Sequence, residues 1–335
     1  MRRRVFGGAV EVLVTGVAFY FVLPKVVDAF SVFPKLSTVG VGWIAVVVAC
    51  EAASFLMVWM LLRLATRTRE WFSIVTSQLA GNALSSIVPA GAAAGATLQV
   101  RMLSESGVDT TTAASGMTVF TILQFTTVAV MPFLLLPAVL AGAMHLAPAL
   151  SDAVVIGAIA FVAIVAFGLA LAVFDGPLRA VGRLVQALRN RLRRRREPLA
   201  GLPERLVRER NQMLQTLGEH WRAAVLVSVG RVAFDYLALL AAVAAVGAHP
   251  HPSLIVLAYV SAVVLALIPI TPGGLGFVEA GLTGALTLAG VDASHAVLAT
   301  LLYRLAEYWL PVIAGPFAYV AFRVSRRRAR RRARA

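Results

Sequence analysis

The stretch PITPGGLGFVEAGL, residues 269–282, lies inside a long apolar region and combines helix breakers with a carboxylate. Its first eight residues contain two prolines and three glycines, and Glu279 follows them. Proline lacks a backbone N–H, and glycine lets another backbone or a ligand approach closely, so no straight helix is expected here. A broken helix in hydrocarbon must be buried in protein or line a wet cavity, because unpartnered backbone groups are costly there. The stretch therefore predicts the tip of a hairpin or re-entrant segment.

The chain as a whole is too apolar for one water-soluble core. Of its 335 residues, 59% are hydrophobic and 14% are charged, and the mean hydropathy is +0.83. Such values are typical of integral membrane proteins, and we predict an all-α member of that class.

Basic residues are clustered rather than spread along the chain, whose formal net charge is +15. Next to membrane spans, such clusters usually set the orientation of the protein and bind anionic lipid headgroups. No nucleic-acid-binding motif accompanies them, so we expect no nucleic acid partner. The clusters lie at 2–4, 63–69, 179–222 and 323–335.

Apolar segments long enough to cross a bilayer recur along the chain. A helix needs about 20 mostly apolar residues to cross the hydrocarbon. Two further apolar segments are too long for one crossing and contain proline and glycine near their middles. We predict about six full spans plus two re-entrant or hairpin segments. The spans are 8–30, 40–62, 112–141, 151–174, 222–247 and 293–322, and the hairpins are 72–104 and 253–290.

Arginine-rich connections indicate which ends of these spans face the cytoplasm. We expect a multi-pass protein of the cell (plasma) membrane with both termini in the cytoplasm, and each hairpin should return to the side from which it came. The basic parts are the N-terminus, the 63–70 loop, the linker 175–221 and the tail 323–335. The connections with few basic residues are 31–39, 142–152 and 247–253.

A weak internal repeat relates the two parts of the chain. An offset of 183 residues places Pro89 on Pro272, and the Gly-Val-Asp tripeptide 107–109 on the Gly-Val-Asp tripeptide 290–292. With the predicted orientation, the first hairpin enters from the cytoplasm and the second from outside. This is an inverted repeat, an arrangement common in transporters, where interrupted helices meet near the midplane. The predicted halves are 1–148 and 149–335.

Charged residues inside the apolar segments are candidate functional residues, because a charge near mid-membrane costs about 2.5–3.5 kcal/mol on insertion scales. Arg304 and Glu307 lie one turn apart, so they are either substrate contacts or a pair that satisfies itself. Arg231 and Asp235 have the spacing of a structural pair. Glu51 is a candidate proton or cation site, or a partner for an arginine.

Signatures of enzymatic chemistry are absent from the sequence. The five histidines show no metal-binding spacing, and no P-loop, nucleophile elbow or dinucleotide fingerprint stands in a suitable context. Cys50 is the single cysteine, so no intramolecular disulfide can form. We predict no catalytic residue, no metal and no cofactor, and we favour a transporter over an enzyme.

Three motifs, at 81–103, 271–282 and 301–316, together resemble the flippase-like transmembrane family that includes the membrane region of lysylphosphatidylglycerol synthases. They read GNALSSIVPAGAAAGATLQVRML, TPGGLGFVEAGL and LLYRLAEYWLPVIAGP. Many relatives carry an acidic residue soon after the first run, where this chain has Gly95 and Ala96. The chain ends in an arginine tail, so we expect no aminoacyltransferase domain. The residues that match the second motif are Pro272, Gly273, Gly274, Gly276, Glu279 and Arg304, and Arg101 matches the arginine after the first P-x-G run.

The resemblance implies a lipid flippase-like transporter that moves a phospholipid or a polyprenyl-linked headgroup by alternating access. The alternative is a membrane-embedded lipid-modifying transferase or its accessory subunit. Expected partners are the lipid itself, anionic headgroups at the basic linker and tail, and an envelope-biosynthesis enzyme. The predicted substrate-binding residues are Arg101, Pro272, Gly273, Gly274, Gly276, Glu279, Arg304, Glu307 and Glu51.

Overall fold

The computed structural model describes residues 39–88, 91–140, 166, 170, 173–192, 200–218, 220–267 and 272–332. All regular structure within these residues is helical, including a 3₁₀ turn at Pro272–Gly274 and a π turn at Leu305–Trp309. The helices are α1 (Val41–Thr66), α2 (Trp71–Ile87), α3 (Ala92–Glu105), α4 (Thr110–Leu140), α5 (Asp175–Leu192), α6 (Leu202–Leu217), α7 (Trp221–Ala245), α8 (Pro252–Leu267), α9 (Phe277–Leu288), α10 (Ala293–Arg304) and α11 (Leu310–Arg332).

Three helical stretches among the described residues are long and apolar enough to cross a membrane: Val41–Thr66, Trp221–Ala245 and Ala293–Ala329. The expected all-α membrane architecture is therefore confirmed, whereas the count of six spans and the inverted repeat stay predictions. The predicted spans 8–30 and most of 151–174 lie outside the described residues.

Two helical pairs occupy the segments predicted as hairpins. Helix α2 packs against α3, and α8 packs against α9. Helix α2 ends at Ile87 because Val88 precedes a proline and is extended, with φ −90° and ψ 132°. Small residues let α3 lie close to α2, since a Cβ on Gly95 would overlap the Ser85 side chain and the Gly81 carbonyl.

The Gly-Val-Asp tripeptides adopt the same local structure in both parts of the chain. Gly107 and Gly290 are left-handed, with φ of 96° and 89°, and each follows the end of a hairpin helix. Asp109 Oδ2 accepts the backbone N–H of Thr111 at 3.0 Å, and Asp292 Oδ1 accepts that of Ser294 at 2.9 Å. Each aspartate thereby caps the next helix. The repeat seen in the sequence is thus matched in backbone geometry at this turn.

The open end of the first hairpin lies beside the last turns of α11. Arg326 Nη2 donates to Glu70 Oε2 at 3.1 Å, and Arg323 Nη1 lies 3.8 Å from Glu105 Oε2. Glu70 precedes α2 and Glu105 ends α3, so both ends of this hairpin lie at the same end of the helical assembly. Arg67 also lies near this end and donates to the Gln215 carbonyl at 3.2 Å.

Helix α11 continues through most of the segment predicted as a basic tail. It extends to Arg332, whereas the sequence-based span ends at 322. Arginine and alanine favour helix, and no glycine or proline follows Pro316, so nothing in the sequence ends the helix earlier. The π turn comes just before Pro311, which has no N–H to donate to the preceding turn.

The linker predicted at 175–221 contains two amphipathic helices. Helices α5 and α6 pack against each other, Asp175 pairs with Arg210, and Gln186 Oε1 accepts the Leu202 N–H at 3.0 Å. Apolar side chains of α5 remain exposed. They are Leu184, Val185 and Leu188.

Candidate functional site

The break between α8 and α9 is built from glycines in conformations that other residues rarely adopt. Gly273, Gly274 and Gly276 have φ of 62°, 70° and 81°. A Cβ on Gly273 would overlap the phenol of Tyr308, so this position also needs glycine for space. Glu279 closes the first turn of α9, where its Oε2 accepts the Gly276 N–H at 2.7 Å.

Arg304 is the hub of this turn and uses all three of its guanidinium nitrogens. Nε donates to Glu279 Oε1 at 2.8 Å, and Nη1 donates to Glu307 Oε2 at 2.8 Å. Nη2 donates to the Gly273 carbonyl at 3.2 Å. The side chain is 5% exposed, so these contacts are largely shielded from solvent. Arg304 therefore joins α9, the π turn and the glycine break.

Tyr308 connects this hub to the first hairpin. Its ring lies under the Arg304 guanidinium, 4.5 Å from Cζ to the ring centroid. Its hydroxyl donates to the Ser86 carbonyl near the end of α2 at 3.3 Å. Ile87 and Leu275 belong to the same apolar cluster as Tyr308. The residues that flank the two helix breaks therefore meet.

A second buried polar group lies between α7, α8 and α10. Asp235 is 5% exposed and accepts one phenol hydrogen bond on each carboxylate oxygen. Tyr259 Oη lies 2.8 Å from Oδ2, and Tyr303 Oη lies 2.6 Å from Oδ1. Among the described residues no hydrogen bond or ion pair joins Asp235 to Arg231, although the two charges lie within electrostatic reach of each other.

Glu51 extends this group from α1. It is 3% exposed and faces Asp235, with Arg231 and Glu307 also acting on its charge. Its Oε1 atom is buried and has no hydrogen-bond partner among the described residues. A buried carboxyl oxygen without a partner is unusual and marks a place where a proton or ligand would relieve a cost.

A cavity of about 250 Å³ separates the two polar groups. Arg231 lines it and makes no hydrogen bond or ion pair with any described residue. Gln124 of α4 also lines it, and the buried Oε1 atom of this side chain has no hydrogen-bond partner in the part of the chain that the structure describes. The cavity thus offers a free cationic donor and a free acceptor between apolar walls. Its lining residues are Gln124, Arg231, Asp235, Ala262, Val263, Ala266, Val278, Tyr303, Arg304 and Glu307.

The structure brings only some of the predicted site residues together. Glu279, Arg304, Glu307 and Gly273 form the hub, and Glu51 belongs to the neighbouring carboxyl group. Gly274 and Gly276 shape the turn, and Pro272 begins it. Arg101 lies apart, with a 70% exposed side chain that pairs with Glu105 at 3.1 Å. Its predicted role in substrate binding stays a prediction.

Sequence reasoning missed several residues of the cavity. In the sequence, Gln124 stands out only as a polar residue in an apolar segment. Such residues more often form hydrogen bonds between helices than line a cavity. Tyr259 and Tyr303 carry no sequence signal that separates them from membrane-interface tyrosines. Arg231 and Asp235 were noticed, but their spacing of four residues favoured a pair over a free arginine.

Comparison with known proteins assigns the chain to a family. The family described as lysylphosphatidylglycerol synthase TM region matches residues 8–315 of the chain. The UPF0104 membrane protein of Methanothermobacter thermautotrophicus is 31% identical over 96 residues. That alignment covers 29% of this chain and 27% of the archaeal protein. Because this match covers most of its length, the chain belongs to the family of the lysylphosphatidylglycerol synthase transmembrane region.

Proposed function

We propose that this protein is a flippase-like transporter that moves the headgroup of a phospholipid or polyprenyl-linked lipid across the membrane. The observation that carries the proposal is the cavity lined by Arg231, which makes no hydrogen bond or ion pair with the described residues of the apolar helical bundle. The charge of Arg231 acts on Asp235 without direct contact, so its N–H donors are open to a bound anion. A lipid phosphate is an anion that is present throughout the bilayer surface.

Arg231 is the residue we assign to the phosphate. Guanidinium groups bind phosphate oxygens through two parallel N–H donors, and Arg231 has no competing partner among the described residues. Arg304 has a different role in this proposal, since its nitrogens are already engaged by Glu279, Glu307 and Gly273. It holds the glycine break in shape at the edge of the cavity.

Alternating access is supported by the repeated architecture. The residues beside the two helix breaks meet at Tyr308 and Ser86, and the Gly-Val-Asp turns match. In the proposed transport cycle the hairpins enter from opposite faces, and rocking of one half against the other exposes the cavity to each leaflet in turn. The arginine-rich end that holds Glu70 and Glu105 is the cytoplasmic end in this proposal, with the protein in the plasma membrane.

Cysteine labelling tests this topology. In a Cys50→Ser background, His249→Cys precedes the second hairpin and Ser106→Cys follows the first. An impermeant thiol reagent added outside cells should label position 249 and not position 106. Labelling of both from the same face would remove the inverted arrangement.

The basic surfaces are proposed contacts for anionic lipid. Helix α5 exposes Leu184 and Leu188 beside several arginines, which is the composition of a helix that lies in the membrane interface. The arginines at the end of α11 would reach the headgroups of the same leaflet.

Translocation in proteoliposomes tests the assignment of Arg231. A fluorescent phospholipid is placed in both leaflets, and movement is followed by chemical quenching from outside. Arg231→Gln should slow movement about 10- to 100-fold, because a hydrogen bond to a charged group contributes about 1.5–3 kcal/mol. Arg222→Gln is the matched control, since Arg222 lies on the same helix but is exposed over Trp221.

The control must keep the native rate for the result to count. If folded Arg231→Gln moves lipid at the native rate, the assignment of Arg231 is wrong. If the native protein moves neither a phospholipid nor a polyprenyl-linked lipid, transport itself is rejected.

A transferase or accessory role is the second candidate. It is favoured by the description of the family, which names the membrane region of a synthase. In that case the cavity would hold a lipid while a partner, such as an envelope-biosynthesis enzyme, modifies it. Lipid analysis of a deletion strain separates the two. A missing lipid species favours the transferase role, whereas an unchanged set with altered leaflet distribution favours transport.

A further inference from the structure

The carboxyl groups around the cavity outnumber the arginines. Glu51, Asp235, Glu279 and Glu307 carry four carboxyl groups, and Arg231 and Arg304 carry two guanidinium groups. Arg304 bridges two of the carboxylates directly. If every group were ionised, the cluster would carry two uncompensated negative charges. Their cost would fall mainly on the buried Glu51 and Asp235, because the side chains of Glu279 and Glu307 are 20% and 33% exposed.

Glu51 is the carboxyl group with the fewest hydrogen bonds to stabilise a negative charge. Its Oε1 atom has no partner, whereas Asp235 receives a hydroxyl on each oxygen and Glu279 receives a backbone N–H. Two carboxylates that face each other in a buried site cannot both stay ionised at low cost. A proton on Glu51 would allow it to donate to Asp235 and would remove the repulsion.

The helices that pack around Glu51 each contribute charged or titratable groups. Helix α7 contributes Arg231 and Asp235, and the π turn contributes Glu307. The phenols of Tyr259 on α8 and Tyr303 on α10 also lie within its electrostatic reach. Of these groups only Arg231 is a cation, and it also lines the cavity.

We propose that Glu51 and Asp235 hold one exchangeable proton, and that this proton moves together with the lipid phosphate bound at Arg231. The inference rests on the proposed transport function and adds its energy source. When a phosphate binds Arg231, the positive charge that favours ionised Glu51 is neutralised, so the proton is retained. When the phosphate leaves, the positive charge of Arg231 is free to offset part of the cost of two ionised carboxylates, and the proton is released. In each complete cycle the pair therefore takes up one proton and releases one proton.

The first test measures the proton without any transport. Infrared spectra at neutral pH of the protein with an ether-linked phospholipid bound, which adds no ester carbonyl, should contain the carbonyl stretch of a protonated carboxylic acid. Glu51→Gln should remove this band, and Glu204→Gln should leave it, because Glu204 lies exposed on α6. A band that persists unchanged in folded Glu51→Gln would overturn the proposal.

The second test measures coupling in proteoliposomes with the membrane potential clamped at zero. With one proton per lipid, a gradient of about one pH unit should support up to about a tenfold ratio of lipid between leaflets, enriched on the alkaline side. Glu51→Gln, which mimics the protonated carboxyl, should let lipid equilibrate but abolish this enrichment. Glu204→Gln should enrich lipid as the native protein does.

The outcomes separate this inference from the proposed function. Lipid movement that is native in rate but unaffected by the gradient would overturn proton coupling and leave transport standing. Enrichment that survives in Glu51→Gln would overturn the assignment of the proton to Glu51. A native protein that moves no lipid would reject the transport function and the coupling with it.

Discussion

The hairpin of α2 and α3 and the hairpin of α8 and α9 are each followed by a turn of the same conformation, at Gly107 and at Gly290. Different contacts hold the two hairpins together. The first contains small residues that let its helices touch, and its arginine, Arg101, is exposed. The second has a glycine break closed by a buried hub around Arg304. The two hairpins thus share the backbone conformation of this turn, while the buried charged groups pack beside the second hairpin, on α1, α7, α10 and the π turn. We therefore place the chemistry at the second hairpin and a scaffolding role at the first.

The largest expected difference between the hairpins comes from their arginines. Arg304→Met leaves Glu279 and Glu307 without their buried cation and should destabilise the protein by about 3–5 kcal/mol. Arg101→Met removes an exposed pair and should cost less than about 0.5 kcal/mol. Thermal unfolding in detergent measures both. Equal effects would show that the hub does not distinguish the two hairpins.

Two glycines of the second break separate steric from backbone effects. Gly273→Ala forces alanine into the left-handed conformation at φ 62° and ψ 15°, at about 1–2 kcal/mol. It also drives a Cβ into Tyr308, which should add about 1–3 kcal/mol. Gly276, at φ 81° and ψ −39°, has open space, so Gly276→Ala should carry a backbone cost alone. Unfolding of both variants with native Tyr308 and with Tyr308→Ala checks this, because Tyr308→Ala should relieve only Gly273→Ala.

Equivalent glycines of the repeat should respond equally. Gly107 and Gly290 have similar positive φ and open space around the missing Cβ. Substitution of either by alanine should therefore destabilise by about 1–2 kcal/mol. A difference much larger than the error of the unfolding measurement would mean that the two turns are not equivalent.

The smallest expected effect is the pH dependence of the two helix caps. The backbone N–H of Thr112 lowers the pKa of Asp109, and the hydroxyl of Ser294 lowers the pKa of Asp292. A lowered folded pKa adds stability above the ordinary pKa of 3.8, and this is lost as the pH falls through the folded pKa. Asp109→Asn and Asp292→Asn should each weaken the acid sensitivity of unfolding slightly and to a similar extent. A marked effect of only one variant would contradict the matched turns.

Local signals allowed much of the fold to be predicted from sequence. Proline and glycine restrict or free the neighbouring backbone, so the sequence predicts the helix breaks near Pro89 and Pro272. The two Gly-Val-Asp turns are visible in the sequence as a repeated tripeptide. Helix α11 runs past the predicted span end at 322, because the change from apolar to basic residues marks the membrane boundary and not the end of a helix.

The site was harder to predict because its contacts join residues far apart in the chain. Arg304 was expected either to pair with Glu307 or to bind substrate, and the structure shows that it pairs with Glu307 and Glu279 together. Arg231 became a candidate only when two tyrosines from other helices were found on Asp235. Spacing along one helix cannot reveal such competition.

Photo-cross-linking tests most directly the central claim, that the cavity beside the second hairpin holds the lipid headgroup. A phospholipid with a photoactivatable headgroup is reconstituted with the native protein, and the cross-linked residues are mapped by mass spectrometry. We predict cross-links at Val263, Ala266 and Val278, lost in Arg231→Gln and kept in Arg222→Gln. Cross-links confined to outward-facing residues such as Leu226 and Phe317, with none in the cavity, would contradict the account.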